Sequence, residues 1–94
     1  MTPVDLSERR AAAAQLDRAE ARLDAASRAV GRWKVAGEWA WRGRTERDLL
    51  REWERAWEGY LLAVVVANRL SPRRLRPGQR RLAKIAAATL ARQR

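Results

Sequence analysis

The sequence predicts an all-α fold: a long antiparallel helical hairpin followed by a short basic C-terminal helix. Three observations predict it. Two long stretches each place apolar residues at alternating steps of four and three, a Gly-bearing link separates them, and a Pro-containing break sets off a last amphipathic segment. The 94 residues make one domain, and a monomer of that size buries only about 60–65 % of the surface its unfolded chain exposes. Ala supplies much of the apolar content and buries little area. An oligomer or a larger assembly is therefore expected.

The first helix is expected over about residues 7–40, with Asp5 or Ser7 as its cap and Glu8 in its first turn. Ala12, Leu16, Ala19, Leu23, Ala26, Val30 and Trp33 then form one narrow seam of the kind helices use to pack on each other. Asp24 and Arg28 stand four apart in the favourable order for a charge pair. Gly31, Gly37 and Gly43 weaken the C-terminal part of this stretch, since each interior Gly costs roughly 1 kcal/mol relative to Ala. The helix is expected to bend, fray or stop between Gly37 and Gly43. Trp39 and Trp41, two residues apart, lie about 200° apart on a helix and cannot both face one core.

The second helix is expected over residues 45–70, capped by Thr45, with Glu46 and Asp48 suiting the positive end of the helix dipole. Leu49, Trp53, Ala56, Tyr60, Ala63, Ala67 and Leu70 repeat the seam, and two matching seams read as a hairpin. Leu61, Leu62, Val64 and Val65 widen the stripe, so this end of the helix is expected to be buried on several sides. Ser71-Pro72 and Pro77-Gly78 bracket a turn over 71–78. A third helix is expected over 79–91, with Leu82, Ile85, Ala86, Thr89 and Leu90 on one face and Arg80, Arg81 and Lys84 mostly on the other. So short a helix is marginal alone and must dock to persist.

Charge is distributed very unevenly. The last 26 residues hold nine Arg or Lys and no Asp or Glu, whereas the other 68 hold twelve basic and eleven acidic groups. Nearly all of the net +10 therefore sits in the final quarter. The bases are Arg69, Arg73, Arg74, Arg76, Arg80, Arg81, Lys84, Arg92 and Arg94, and eight of the nine are Arg, whose planar fork matches phosphate oxygens. Five of them fall within RRLRPGQRR at 73–81, a turn leading into a helix N-terminus, where free N–H groups favour anions. The alternative is a solubilising, partly disordered tail. Phosphate binding is the stronger reading because no acid interrupts the run.

The aromatic set is five Trp, one Tyr and no Phe. Trp53, Trp57 and Tyr60 share a helical face and are assigned to the hairpin core or a subunit interface. Trp39 and Trp41, among Lys34, Arg42 and Arg44, have the interleaving of aromatics and bases that stacks on nucleobases, or else they pack on a protein partner. The like-charge rows Arg18–Arg22, Arg28–Arg32 and Arg47–Arg51–Arg55 read as solvated faces.

Catalysis has little support. The chain has no Cys and no His, which removes disulfides, thiolate and imidazole metal sites, and the commonest nucleophiles and general bases. The carboxylates are interspersed with Arg, which lowers a carboxyl pKa, and neither a metal cluster nor a phosphate-cradling Gly loop is visible. The expectation is a non-enzyme with no cofactor and no metal. The opening residues MTPVDLSERR lack the apolar core of a signal peptide, and the longest apolar run, Tyr60–Ala67, is far too short to span a bilayer. A cytoplasmic location is expected. Membrane-surface binding through Leu82, Ile85 and Leu90 ranks last, for want of an aromatic anchor on that helix.

Two family resemblances bear on function. Trp41-Arg42-Gly43 has the W-x-G form, at mid-chain between two long helices, and resembles the small secreted helical hairpins of the WXG100 class. Trp57-Glu58-Gly59 is a second match, while Tyr60 is followed by Val64 where that family's secretion signal has an acid. This resemblance implies a protein-interaction module. The whole chain is also similar, in size, all-helical character and basicity, to the helical small subunits of multisubunit CRISPR effector complexes. Those subunits stack along guide and target strands and place Arg and Lys on the backbone. That resemblance implies a repeated, non-catalytic subunit. The expected function is sequence-independent binding of an RNA or DNA backbone as an accessory subunit, with a protein partner or further copies of the chain. The alternative is a protein-interaction hairpin whose basic tail is incidental.

Overall fold

The computed structural model describes residues 6–36 and 46–93, and shows three helices with no strand among those residues. Helix α1 spans Leu6–Ala36, α2 spans Glu46–Leu70 and α3 spans Pro77–Arg92, with a single 3₁₀ turn at Pro72–Arg74 between the last two. Helices α1 and α2 pack along each other as the hairpin, and α3 docks on α2. The molecule measures 56 × 29 × 21 Å with a radius of gyration of 16.1 Å, against roughly 12 Å for a compact chain of this length. Asp5, Gly37, Trp39, Trp41, Arg42, Gly43, Arg44, Thr45 and Arg94 lie outside the described residues. Helix α1 begins at Leu6 among the described residues, so Ser7 lies in its first turn.

The two seams meet as their spacing requires. Ala12, Leu16 and Ala26 are buried on α1, and Leu49, Ala56, Tyr60, Ala63 and Ala67 on α2. Ala at so many of these positions lets the two backbones approach closely, at the cost of little buried area per residue. Val64 has 0 % of its surface exposed, and full burial of such a side chain contributes about 1.5–3 kcal/mol. The aromatic residues of α2 stack in sequence. Trp53 and Trp57 lie with ring centroids 6.1 Å apart and planes 4° from parallel, and Trp57 and Tyr60 6.0 Å apart at 36°. The Trp53 indole N–H donates to Ser27 Oγ on α1 at 3.0 Å, tying the stack to the other arm of the hairpin.

Three expectations about the C-terminal half are corrected. Leu62 is not buried: it is 53 % exposed, because α1 and α3 cover two other sides of α2 and leave this one open. Helix α3 starts at Pro77, so Pro77 and Gly78 form its first turn and not a break. Proline suits that position, since its fixed φ is helical and its missing N–H has no intrahelical partner to lose. The same proline holds Arg76 extended, at φ −64° and ψ 151°. Finally, of the face expected for α3, Ala86 is buried and Leu82 packs against the core, but Gln79 and Ala83 are buried beside them while Ile85, Thr89 and Leu90 are exposed.

The cause of that rotation lies just upstream. Ser71 N–H donates to Ala67 O at 2.8 Å, and Leu75 N–H to Pro72 O at 3.2 Å, closing the turn. Leu75 is thereby driven into the core, 5 % exposed, beside Leu16, Tyr60, Ala67 and Ala83. Arg76 N–H donates to Gln79 Oε1 at 3.0 Å, and Gln79 Nε2 donates to the Tyr60 hydroxyl at 3.3 Å. With Gln79 pinned inward, Ala83 and Ala86 follow at four and seven residues on. Ile85 is left 64 % exposed.

Candidate nucleic-acid interface

The turn and the helix together fix where the basic side chains stand. Ser71-Pro72 starts the 3₁₀ turn, which leaves Arg73 and Arg74 exposed, with Arg74 lining a depression of about 220 Å³ beside Arg9, Asp17 and Leu75. The inward rotation of α3 then determines its outward face. Arg80, Arg81 and Lys84 are exposed there, and with Asn68, Pro72 and Pro77 they line a shallow, open depression of about 620 Å³. Among the described residues, Arg73, Arg74, Arg80, Arg81 and Lys84 form no ion pair.

The first turn of α3 contains no acid. Its positive dipole end and the adjacent Arg80 and Arg81 thus share one sign, an arrangement that costs a few tenths of a kcal/mol per charge and that a bound anion relieves. The combination offers an anion two kinds of donor. Guanidinium groups supply forked, charge-assisted bonds; in the first turn Pro77 has no N–H and Arg80 N–H donates to Arg76 O at 3.1 Å, so the backbone offers at most the N–H groups of Gly78 and Gln79.

Arg76 stands apart from this set. Its Nη2 lies 2.6 Å from Glu20 Oε1 on α1, so the guanidinium is directed across the hairpin. The hydrogen bond and charge of Glu20 hold its pKa above the ordinary arginine value. Arg76 therefore serves as a strap between α1 and the start of α3. Arg69 also lies elsewhere, against Val65, Ala87 and Leu90 in a separate depression of about 230 Å³. Arg92 is exposed in the last turn of α3, where a cation suits the dipole. Trp53 and Trp57 are half-buried and Tyr60 is buried; Tyr60 belongs to the core, Trp57 packs against it and Trp53 stacks on Trp57.

Sequence reasoning missed Glu20, Leu75 and Gln79. A signal for Gln79 was present. Gln79, Ala83, Ala86 and Leu90 repeat the four-three-four steps of the other two seams, with a polar residue at the head where an apolar one is normally sought. Glu20 carries no such mark, being one of several acids on α1. Asp24 and Arg28 meet differently from the expected charge pair: Arg28 Nε donates to the Asp24 backbone carbonyl at 3.3 Å. Among the described residues no group of three or more His, Cys, Asp or Glu is placed to hold a metal ion. No helix among them is long and apolar enough to cross a membrane. Comparison of the chain with protein-family models, with curated proteins and with solved structures gives no match in any of the three.

Proposed function

We propose that this protein binds the phosphate backbone of a nucleic acid without reading its sequence, as a non-catalytic accessory subunit of a larger nucleoprotein assembly. One observation carries the reading. Five bases, Arg73, Arg74, Arg80, Arg81 and Lys84, stand exposed on the 3₁₀ turn and the outer face of α3, with no carboxylate among residues 69–94 to neutralise them. Phosphate contacts of this kind position a protein on a strand and carry no base information. Arg76 contributes less than its neighbours, because Glu20 already occupies it.

A salt titration of binding to labelled single-stranded RNA, single-stranded DNA and duplex DNA tests the proposal. Five neutralised phosphates give a slope of log K against log salt of about −3.5 on single strands and about −4.5 on duplex. Reversing Arg73, Arg74, Arg80 and Arg81 to Glu should abolish binding and leave the helical circular dichroism intact. Binding that survives the reversal would sink the proposal. A second reading, a hairpin that docks on a protein, draws on the exposed apolar side chains of Leu62 and Ile85. A stoichiometric protein complex insensitive to nuclease would favour it.

A further inference from the structure

The core of the hairpin does not use all the large apolar side chains of the C-terminal half. Between α2 and α3 runs an apolar groove of about 600 Å³, floored by Trp57, Leu61 and Ala86 and edged by Leu62, Ile85 and Leu90. Leu62 and Ile85 are more than half exposed, and Val66 continues the strip on α2 at 42 %. Scattered exposed apolar residues are ordinary, but several around one concavity mark an interaction surface. Its charges indicate the occupant. Glu58 is the one ionisable residue lining the groove, and it forms no ion pair among the described residues. The ridge beside it is basic, with exposed Arg81 four residues before Ile85 and exposed Arg92 seven after, both on the Ile85 side of α3.

We infer that this groove is a homodimer interface, in which the Ile85 ridge of each copy seats in the groove of the other. A twofold contact demands that one patch be complementary to itself. This patch meets the demand in shape and in sign: it carries both a groove and a projecting ridge, and an acid in the groove with arginines along the ridge. In such a pairing Glu58 of each copy faces Arg81 or Arg92 of the other, and Leu62 and Ile85 leave water together. The lysine and arginine face at Arg80 and Lys84 points away from the seam, so a dimer presents two such faces. The two readings share Arg81, so the dimer is tested at Leu62, Ile85 and Glu58, which the nucleic-acid reading does not use.

Salt separates the two. Polyanion binding falls steeply with salt, whereas the burial of Leu62 and Ile85 in the dimer does not depend on it. The test is sedimentation velocity of the full chain, freed of nucleic acid, from about 5 to 200 µM in roughly 0.3 M salt. Twice the monomer mass is expected, with a midpoint that Ile85→Glu and Leu62→Glu each raise at least about tenfold. Both side chains lie outside the core, so the helical circular dichroism should not change. Glu58→Arg should weaken the dimer more than Glu54→Arg, which adds the same charge outside the groove. A wild-type chain that stays monomeric throughout would overturn the inference and leave the groove to a different protein. A dimer that survives both the Ile85 and the Leu62 substitutions, or that responds equally to the Glu58 and Glu54 substitutions, would also overturn it.

Discussion

Gln79→Ala should be among the most damaging substitutions available in α3. The side chain is 9 % exposed and bonds at both ends of its amide, to Arg76 N–H at 3.0 Å and to the Tyr60 hydroxyl at 3.3 Å. Truncation strands the hydroxyl of a tyrosine that is itself 8 % exposed, at about 1–3 kcal/mol for a buried group without a partner. It also removes the side chain that reaches back to the helix start, a contribution of about 1 kcal/mol. The expected loss is therefore about 2–4 kcal/mol, a large part of the roughly 5–14 kcal/mol such a chain has in total. Urea unfolding followed by circular dichroism and Trp fluorescence measures it, and Trp57, 6.0 Å from Tyr60, reports locally. Tyr60→Phe completes a double-mutant cycle. If the two groups act through their shared bond, the pair is non-additive by about 0.5–1.5 kcal/mol. A Gln79→Ala loss below about 0.5 kcal/mol, the size of an ordinary surface substitution, would refute the assignment of Gln79 as the residue that sets the rotation of α3.

Glu20→Gln should release Arg76 for a phosphate, raising affinity and steepening the salt slope on single strands by about 0.7; an unchanged slope would show that Arg76 is not held back by Glu20. Val64→Ala should cost about 2 kcal/mol in urea unfolding, because the site has no exposure through which water can refill it. Binding should be flat between about pH 6 and 9, since the chain has no His or Cys to titrate there. The raised pKa of Arg76 agrees in sign: a cation stabilised by its partner contributes fully below the ordinary arginine value and is lost only above the raised one. Fluorescence anisotropy across that range checks it.

The hairpin was legible because its information is periodic. Seven apolar residues in strict alternation on each arm mark the face by which the arms meet, and the burial of Ala12, Leu16, Ala26, Ala56, Tyr60 and Ala63 follows that spacing. The orientation of α3 was not legible for a physical reason. Its large apolar side chains, Leu82, Ile85 and Leu90, suggest one face, but the helix is rotated by tethers upstream of it. Leu75 enters the core from between two arginines, and Gln79 turns inward because Tyr60 and Arg76 satisfy it. Ala83, Ala86 and Leu82 then do the packing, and Ile85 and Leu90 remain exposed. The basic face was legible as a list of residues but not as a surface. Sequence counts Arg69 and Arg76 with the rest, whereas the fold sends one to a separate depression and the other to Glu20.

The docking of α3 on only part of the hairpin has a consequence for how the chain opens. Around Val64, Ala67 and Ala83 three segments interlock; around Ala26, Leu49 and Ala56 only the two arms of the hairpin meet. Paired helices without a third layer gain little beyond their own seam, so the amides of α2 before Trp53 should exchange with deuterium faster than those around Val64, through sub-global opening. Two-speed exchange would describe a protein with a firm end and a yielding one. Arg80, Arg81 and Lys84 ride on the firm end, where the spacing between their charges is least disturbed when the other end breathes.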